Sequence, residues 1–144
     1  MIRIVEPFFA KSNVELLQSA REAMVGGYVI AAGCMARASL ELHLRRLCIW
    51  NDCQPNNKRA SAWLYTEKLF DRRIIDRQTK RAIKAAFKIG HKCAHGRPVD
   101  WYEVATLLDI VRGLLTTHPC KNEVCCDQCE GLGNGDLDDD DGGL

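Results

Sequence analysis

No stretch of this sequence holds the roughly 18–20 apolar residues in a row that a membrane-crossing helix needs. The opening Met1-Ile2-Arg3-Ile4-Val5-Glu6-Pro7 lacks the basic-then-apolar order of a secretory leader. These two absences predict a soluble, cytoplasmic protein. No segment alternates apolar and polar residues with period two, which argues against a sheet, and no internal repeat is present. A Gly-rich phosphate loop, a Ser or Cys triad and a carboxylate dyad are all missing, so the chemistries that need them are not expected. Aromatic residues make up only 7%. They are not interleaved on the basic face described below, which favours contact with a phosphate backbone over base stacking.

What is present fits one globular domain. The 144 residues are 47% hydrophobic and 27% charged, enough for one real core. Wholesale disorder and a mini-fold that depends on a metal are excluded. The net charge of +1 divides unevenly along the chain. Residues 1–118 carry 19 Lys/Arg against 11 Asp/Glu, a net +8, and residues 119–144 carry one Lys against 8 Asp/Glu, a net −7. A basic body with an acidic tail points to a polyanionic partner, or to a tail that competes with one. A solvated surface with a solubilising tail accounts for the same numbers. Eight cysteines would suit a disulfide scaffold in a secreted chain, but without a leader none is expected. Cys34, Cys48 and Cys93 fall in helical apolar patterns and are expected to pack as small hydrophobes, while Cys53 lies in a polar loop. The other four crowd into positions 120–129, where metal is the better expectation.

Helical spacing dominates residues 12–118. Ser12-Asn13-Val14-Glu15 fits a capping box, followed by Val14, Leu17, Ala20 and Met24, and Gly26-Gly27 stops the run. A long helix is predicted from about Tyr28 to Trp50, with an apolar stripe of Ile30, Cys34, Ala38, Leu40, Leu44 and Leu47. Arg37, Glu41 and Arg45 on it are spaced for i,i+4 ion pairs. A loop at 51–57 precedes a short helix over 60–70, and Asp76 caps a further helix that runs to about His95. Gly96-Arg97-Pro98 ends it. Asp100-Trp101-Tyr102-Glu103 starts a last helix with Val104, Leu107, Leu108, Val111, Leu114 and Leu115 on its apolar face. The expected architecture is all-α, a single bundle of four to five helices over residues 1–118. Residues 119–144, rich in Cys, Gly and Asp, are expected to form a disordered acidic tail.

The segment 76–95 is the most informative. At 100° per residue, Arg77, Lys80, Arg81, Lys84, Lys88, His91 and His95 fall within one arc of roughly 100°. Ile75, Ala82, Ala86, Ile89 and Cys93 fall opposite. Residues 58–97, which include Lys92, hold 12 basic and only 3 acidic side chains. Such a row suits phosphate contacts, so Arg77, Lys80, Arg81, Lys84, Lys88 and Lys92 are the candidate nucleic-acid-binding residues. His91 and His95 are i,i+4 partners, a spacing that serves a metal or an acid/base pair. The cations around them, Lys88, Lys92 and Arg97, would repel a metal ion, lower the imidazole pKa values and stabilise a bound phosphate. His95 at a helix C-terminus is equally placed for a purely structural capping role.

Two resemblances follow from these residues. Ala36-Arg37-Ala38-Ser39-Leu40-Glu41-Leu42 on a long helix, then Phe87-Lys88-Ile89-Gly90-His91-Lys92-Cys93-Ala94-His95-Gly96 before a Leu-rich last helix, resembles the HEPN superfamily over residues 12–116. It is most similar to members of unknown function whose motif reads Gly-Asn-x-Ala-Ala-His. The resemblance implies a helical bundle, often dimeric, with the motif facing the partner subunit. In active members an Arg, separated from the motif His by four to six residues, works with it in metal-independent RNA cleavage. Here His95 stands at the histidine position, His91 where Asn is frequent, and Lys88, Ile89 and Gly90 where the Arg would be. A Lys at position 88 can pair with phosphate but lacks the bidentate fork of Arg. Cys126-Asp127-Gln128-Cys129-Glu130-Gly131-Leu132-Gly133 is similar to the CxxCxGxG half-site of DnaJ-type zinc fingers. It implies a zinc knuckle whose remaining ligands would come from His118, Cys120 and Cys125, or from Cys126 and Cys129 of a second chain.

Three functions fit these features. The first is an RNA-binding (less favourably DNA-binding) HEPN-like homodimer with weak or no nuclease activity. The second is a metal-independent endoribonuclease using His95 with Lys88 or His91. The third is a protein-interaction module assembled with the help of zinc held by Cys120, Cys126, Cys129 and His118. A phage or mobile element would be a fitting source for so small a protein with an appended half-finger.

Overall fold

The computed structural model of the chain describes residues 13–56 and 60–119. Among these residues there are five α-helices and no strand: α1 Asn13–Val25, α2 Val29–Trp50, α3 Ala62–Asp71, α4 Arg77–Ala94 and α5 Trp101–Thr117. The all-α bundle expected from the periodicity is therefore what forms. Ser12 of the expected capping box, Cys120, Cys125, Cys126 and Cys129 and the acidic tail lie outside the described residues. No helix among the described residues is long and apolar enough to cross a membrane.

The central element is α2, which packs against each of the other four helices. Its inward face is Ala32, Gly33, Ala36, Leu40, Leu44, Leu47 and Cys48. The predicted stripe is right from Leu40 onward and wrong before it, because Ile30, Cys34 and Ala38 point outward. Close approach explains the rotation. A Cβ on Gly33 would collide with Cys93 Sγ and lie 3.0 Å from Cys93 Cβ, so α4 sits almost on the α2 backbone there. The small residues at 32, 33 and 36 permit that packing, and it outweighs seating the bulkier Ile30. The same contact buries Cys93, whereas Cys34 is exposed. In α5, Val104, Leu107, Leu108, Val111 and Leu114 are buried as expected, and Asp100 and Glu103 complete a capping box.

Four of the five helices end in the same way. The amide of the residue just past the turn reaches back five residues, and its predecessor reaches back three: Tyr28 to Ala23, Cys53 to Cys48, Ile74 to Leu69 and Arg97 to Lys92. These are Schellman closures, each needing one left-handed residue. Gly27 (φ 87°) and Gly96 (φ 62°) supply it freely, whereas Asp52 (φ 52°) and Arg73 (φ 59°) adopt it despite their side chains. The motif also brings Cys53 beside Cys48, and both are buried.

The two ends of the described body meet on one buried imidazole. His43 Nε2 donates to the carbonyl of His118 at 2.7 Å, which leaves the lone pair on Nδ1 to accept from the Asn13 side-chain amide at 3.2 Å. Ser39 Oγ donates to the Asn13 carbonyl at 3.1 Å. Burial is the main reason the His43 pKa is pushed down to about 4.

Candidate nucleic-acid interface

The N-cap of α4 is Asp76, whose carboxylate accepts from the Thr79 amide at 2.7 Å. The helix buries Ile83, Ala86, Phe87, Gly90 and Cys93. Its inward face is thus turned towards Phe87 and away from Ala82 and Ile89, which are half-buried. That rotation sorts the predicted cations. Arg77, Arg81, Lys84 and Lys88 are exposed along one line, with spacings of four, three and four residues, and His95 continues it. Among the described residues none of these four cations is in an ion pair. The line runs about 17 Å from Arg77 to Lys88 at 1.5 Å per residue.

The other two predicted contacts are engaged inside the molecule. Lys80 Nζ lies 3.5 Å from Glu67 and over the Phe70 ring at 4.3 Å, with the Trp63 ring at 5.7 Å. Lys92 Nζ donates to Glu103 Oε2 at 2.8 Å, and this bond is the first reason the Glu103 carboxyl is held below its usual range. An open groove of about 880 Å³ borders the cationic line and is walled in part by Trp63, Phe87, Lys84, Lys88, His91 and Arg97. Trp63 thereby supplies an aromatic ring that the arrangement along α4 alone did not place there. Only tertiary packing of α3 on α4 brings it in, so no local sequence signal marks it.

At the C-terminal end of α4 the rings of His91 and His95 lie 4.2 Å apart, tilted by 50°. His91 is held below the ordinary imidazole value, first by partial burial and then by electrostatic interaction with His95, Arg97 and Arg37. Arg37 reaches this corner from α2. Its aliphatic stem lies against Gly90, where a Cβ would come within 3.0–3.1 Å of three of its carbons, and its Nε donates to Glu41 Oε1 at 3.0 Å. A glycine inside a helix is the one sequence signal that could have marked a close approach here, and it does not say what approaches. The arrangement can bind an anion and exchange a proton at an imidazole that is neutral near pH 7.

His118 stands apart from this corner, lining a groove with Asp76, Arg73 and Ile75 at the start of α4. Its Nδ1 lies 2.8 Å from Thr117 Oγ1, and that hydroxyl donates to the Gly113 carbonyl at 2.9 Å. The hydroxyl therefore accepts from His118, the proton sits on Nδ1, and the Nε2 lone pair is available to a metal. Among the described residues no three His, Cys, Asp or Glu side chains cluster as metal ligands. The predicted zinc ligands Cys120, Cys126 and Cys129 lie outside those residues. In comparisons with known protein families, characterised proteins and solved structures, the chain matches none.

Proposed function

We propose that this chain is a nucleic-acid-binding, HEPN-like helical protein that acts as a homodimer and has weak or no nuclease activity. The observation that carries this reading is the line Arg77, Arg81, Lys84 and Lys88, exposed, evenly spaced and without carboxylate partners among the described residues. Each can neutralise a phosphate and release its counterion. RNA is placed ahead of DNA on the resemblance to HEPN proteins alone. The dimer is supported by apolar side chains left outside at the end of the bundle that carries His95. Ile30 is 49% and Trp101 53% exposed, on helix ends that approach each other through Gly33, Cys93 and Val104. Zinc held by His118, Cys120, Cys126 and Cys129 is proposed on the available Nε2 of His118 and the CxxC spacing.

A salt titration of RNA binding tests the reading. Four phosphate contacts give a log–log slope of about −3. The double variant Lys84→Glu, Lys88→Glu is expected to lower affinity at least about tenfold at 0.1 M salt while leaving the thermal transition in place. Unchanged binding would refute the interface. A second reading, metal-independent RNA cleavage, is favoured by one observation: Arg37 enters the His91–His95 corner, where the motif itself lacks an Arg. Cleavage that resists EDTA and disappears in His95→Ala supports it, and cleavage that persists in His95→Ala removes it.

A further inference from the structure

The tail's acidic segment and the cationic line of α4 match in charge and length. His118, the last residue before Pro119, lines the same groove as Asp76, the residue immediately before Arg77. His118 and Pro119, the last described residues, therefore stand near the start of the line, one position from Arg77 through Asp76. Asp136 and Asp138–Asp141 lie 18 to 23 residues past His118, within a span of up to about 60 Å for 18 extended residues. Residues 136–141 extend over at most about 20 Å, against about 17 Å from Arg77 to Lys88. The segment's five carboxylates thus outnumber by one the four exposed cations that lack partners among the described residues.

We propose that Asp136–Asp141 docks on the Arg77–Lys88 line of its own chain and competes there with nucleic-acid phosphates. The competition rests on reading this line as a phosphate-binding surface. The docking itself does not. Each exposed ion pair is weak, but tethering raises the segment to about millimolar effective concentration, so several weak pairs act together. The line then presents its cations fully only to a polyanion strong enough to displace the tail. Binding becomes selective for long or densely charged strands.

The test uses a full-length chain in which Asp136 and Asp138–Asp141 are all changed to Asn, leaving the line uncovered. A fluorescent peptide of residues 133–143 is titrated against it by anisotropy at about 20 mM salt, where screening is weak. The peptide is expected to bind this variant, to bind the unaltered chain at least about threefold more weakly because the tethered segment competes, and to be lost from both on Lys84→Glu, Lys88→Glu. RNA is expected to bind the Asn variant about three- to tenfold more tightly than the unaltered chain at low salt, with the curves converging by about 0.3 M. No peptide binding, or binding indifferent to charge reversal at 84 and 88, overturns the docking, whatever RNA does. Peptide binding with no RNA bound by either chain leaves the docking standing and removes the nucleic-acid reading instead.

Discussion

Gly33 and Gly113 are both helical glycines with opposite reasons for being there. A methyl group on Gly33 would run into Cys93, whereas one on Gly113 would meet nothing within 4 Å. Gly33→Ala is expected to cost about 1–3 kcal/mol by prying α4 from α2. Gly113→Ala should gain about 0.5–1 kcal/mol from helix propensity. Urea denaturation reads both signs. His43 makes a second residue-scale prediction. Protonation would place a proton on Nδ1, the atom that accepts from Asn13. With a folded pKa of about 4, below the ordinary 6.5, the unfolded chain binds the extra proton first as pH falls. The contribution is complete above about pH 6.5, declines through the window down to 4, and totals roughly 3 kcal/mol. His43→Gln should flatten the difference between urea midpoints at pH 7 and pH 4.5, and an unchanged slope would contradict this role.

Helix ends show what local sequence can and cannot announce. Gly26-Gly27 and Gly96 were legible as stops because glycine takes the left-handed turn at no steric cost. Asp52 and Arg73 perform the same closure, yet nothing in their neighbourhood advertised a left-handed residue. Their conformation belongs to the closure itself, in which the Cys53 amide donates to the Cys48 carbonyl and the Ile74 amide to the Leu69 carbonyl. Arg73→Gly is therefore expected to raise stability by about 1 kcal/mol, and Asp52→Gly by less, since Asp tolerates this region better. A fall in thermal midpoint for Arg73→Gly would show that the turn carries no strain. The caps Asp76 and Asp100 were readable for the converse reason: they need only a short acceptor beside free amides. Helix faces were legible where large apolar residues were concentrated, as in α5, and not at the start of α2. There the deciding property is smallness, which periodicity of hydrophobicity does not measure.

At the scale of the whole molecule, the candidate site was half legible. The cations of α4 share a face by helical geometry alone, so Arg77, Arg81, Lys84 and Lys88 could be read from spacing. Lys80 and Lys92 are diverted by Glu67 and Glu103, and Trp63 and Arg37 are added, only because α2, α3 and α5 pack where they do. Positive charge therefore lines one face of α4, while the exposed Ile30 and Trp101 lie near the meeting point of α2 and α5.

The His43 clasp carries one more consequence. Asn13 and His118 are separated by one imidazole ring and its two hydrogen bonds, although they stand 105 positions apart in the sequence. The body is in effect a ring opened at an arbitrary place. Where the backbone is cut matters less to such a topology than whether its helices stay neighbours. A circular permutant joining 118 to 13 through about five residues, with new ends opened between 54 and 60, should keep the helical circular dichroism and a single cooperative melt. Loss of cooperativity on rewiring would mean that the order in which the helices emerge, and not only their contacts, determines the fold.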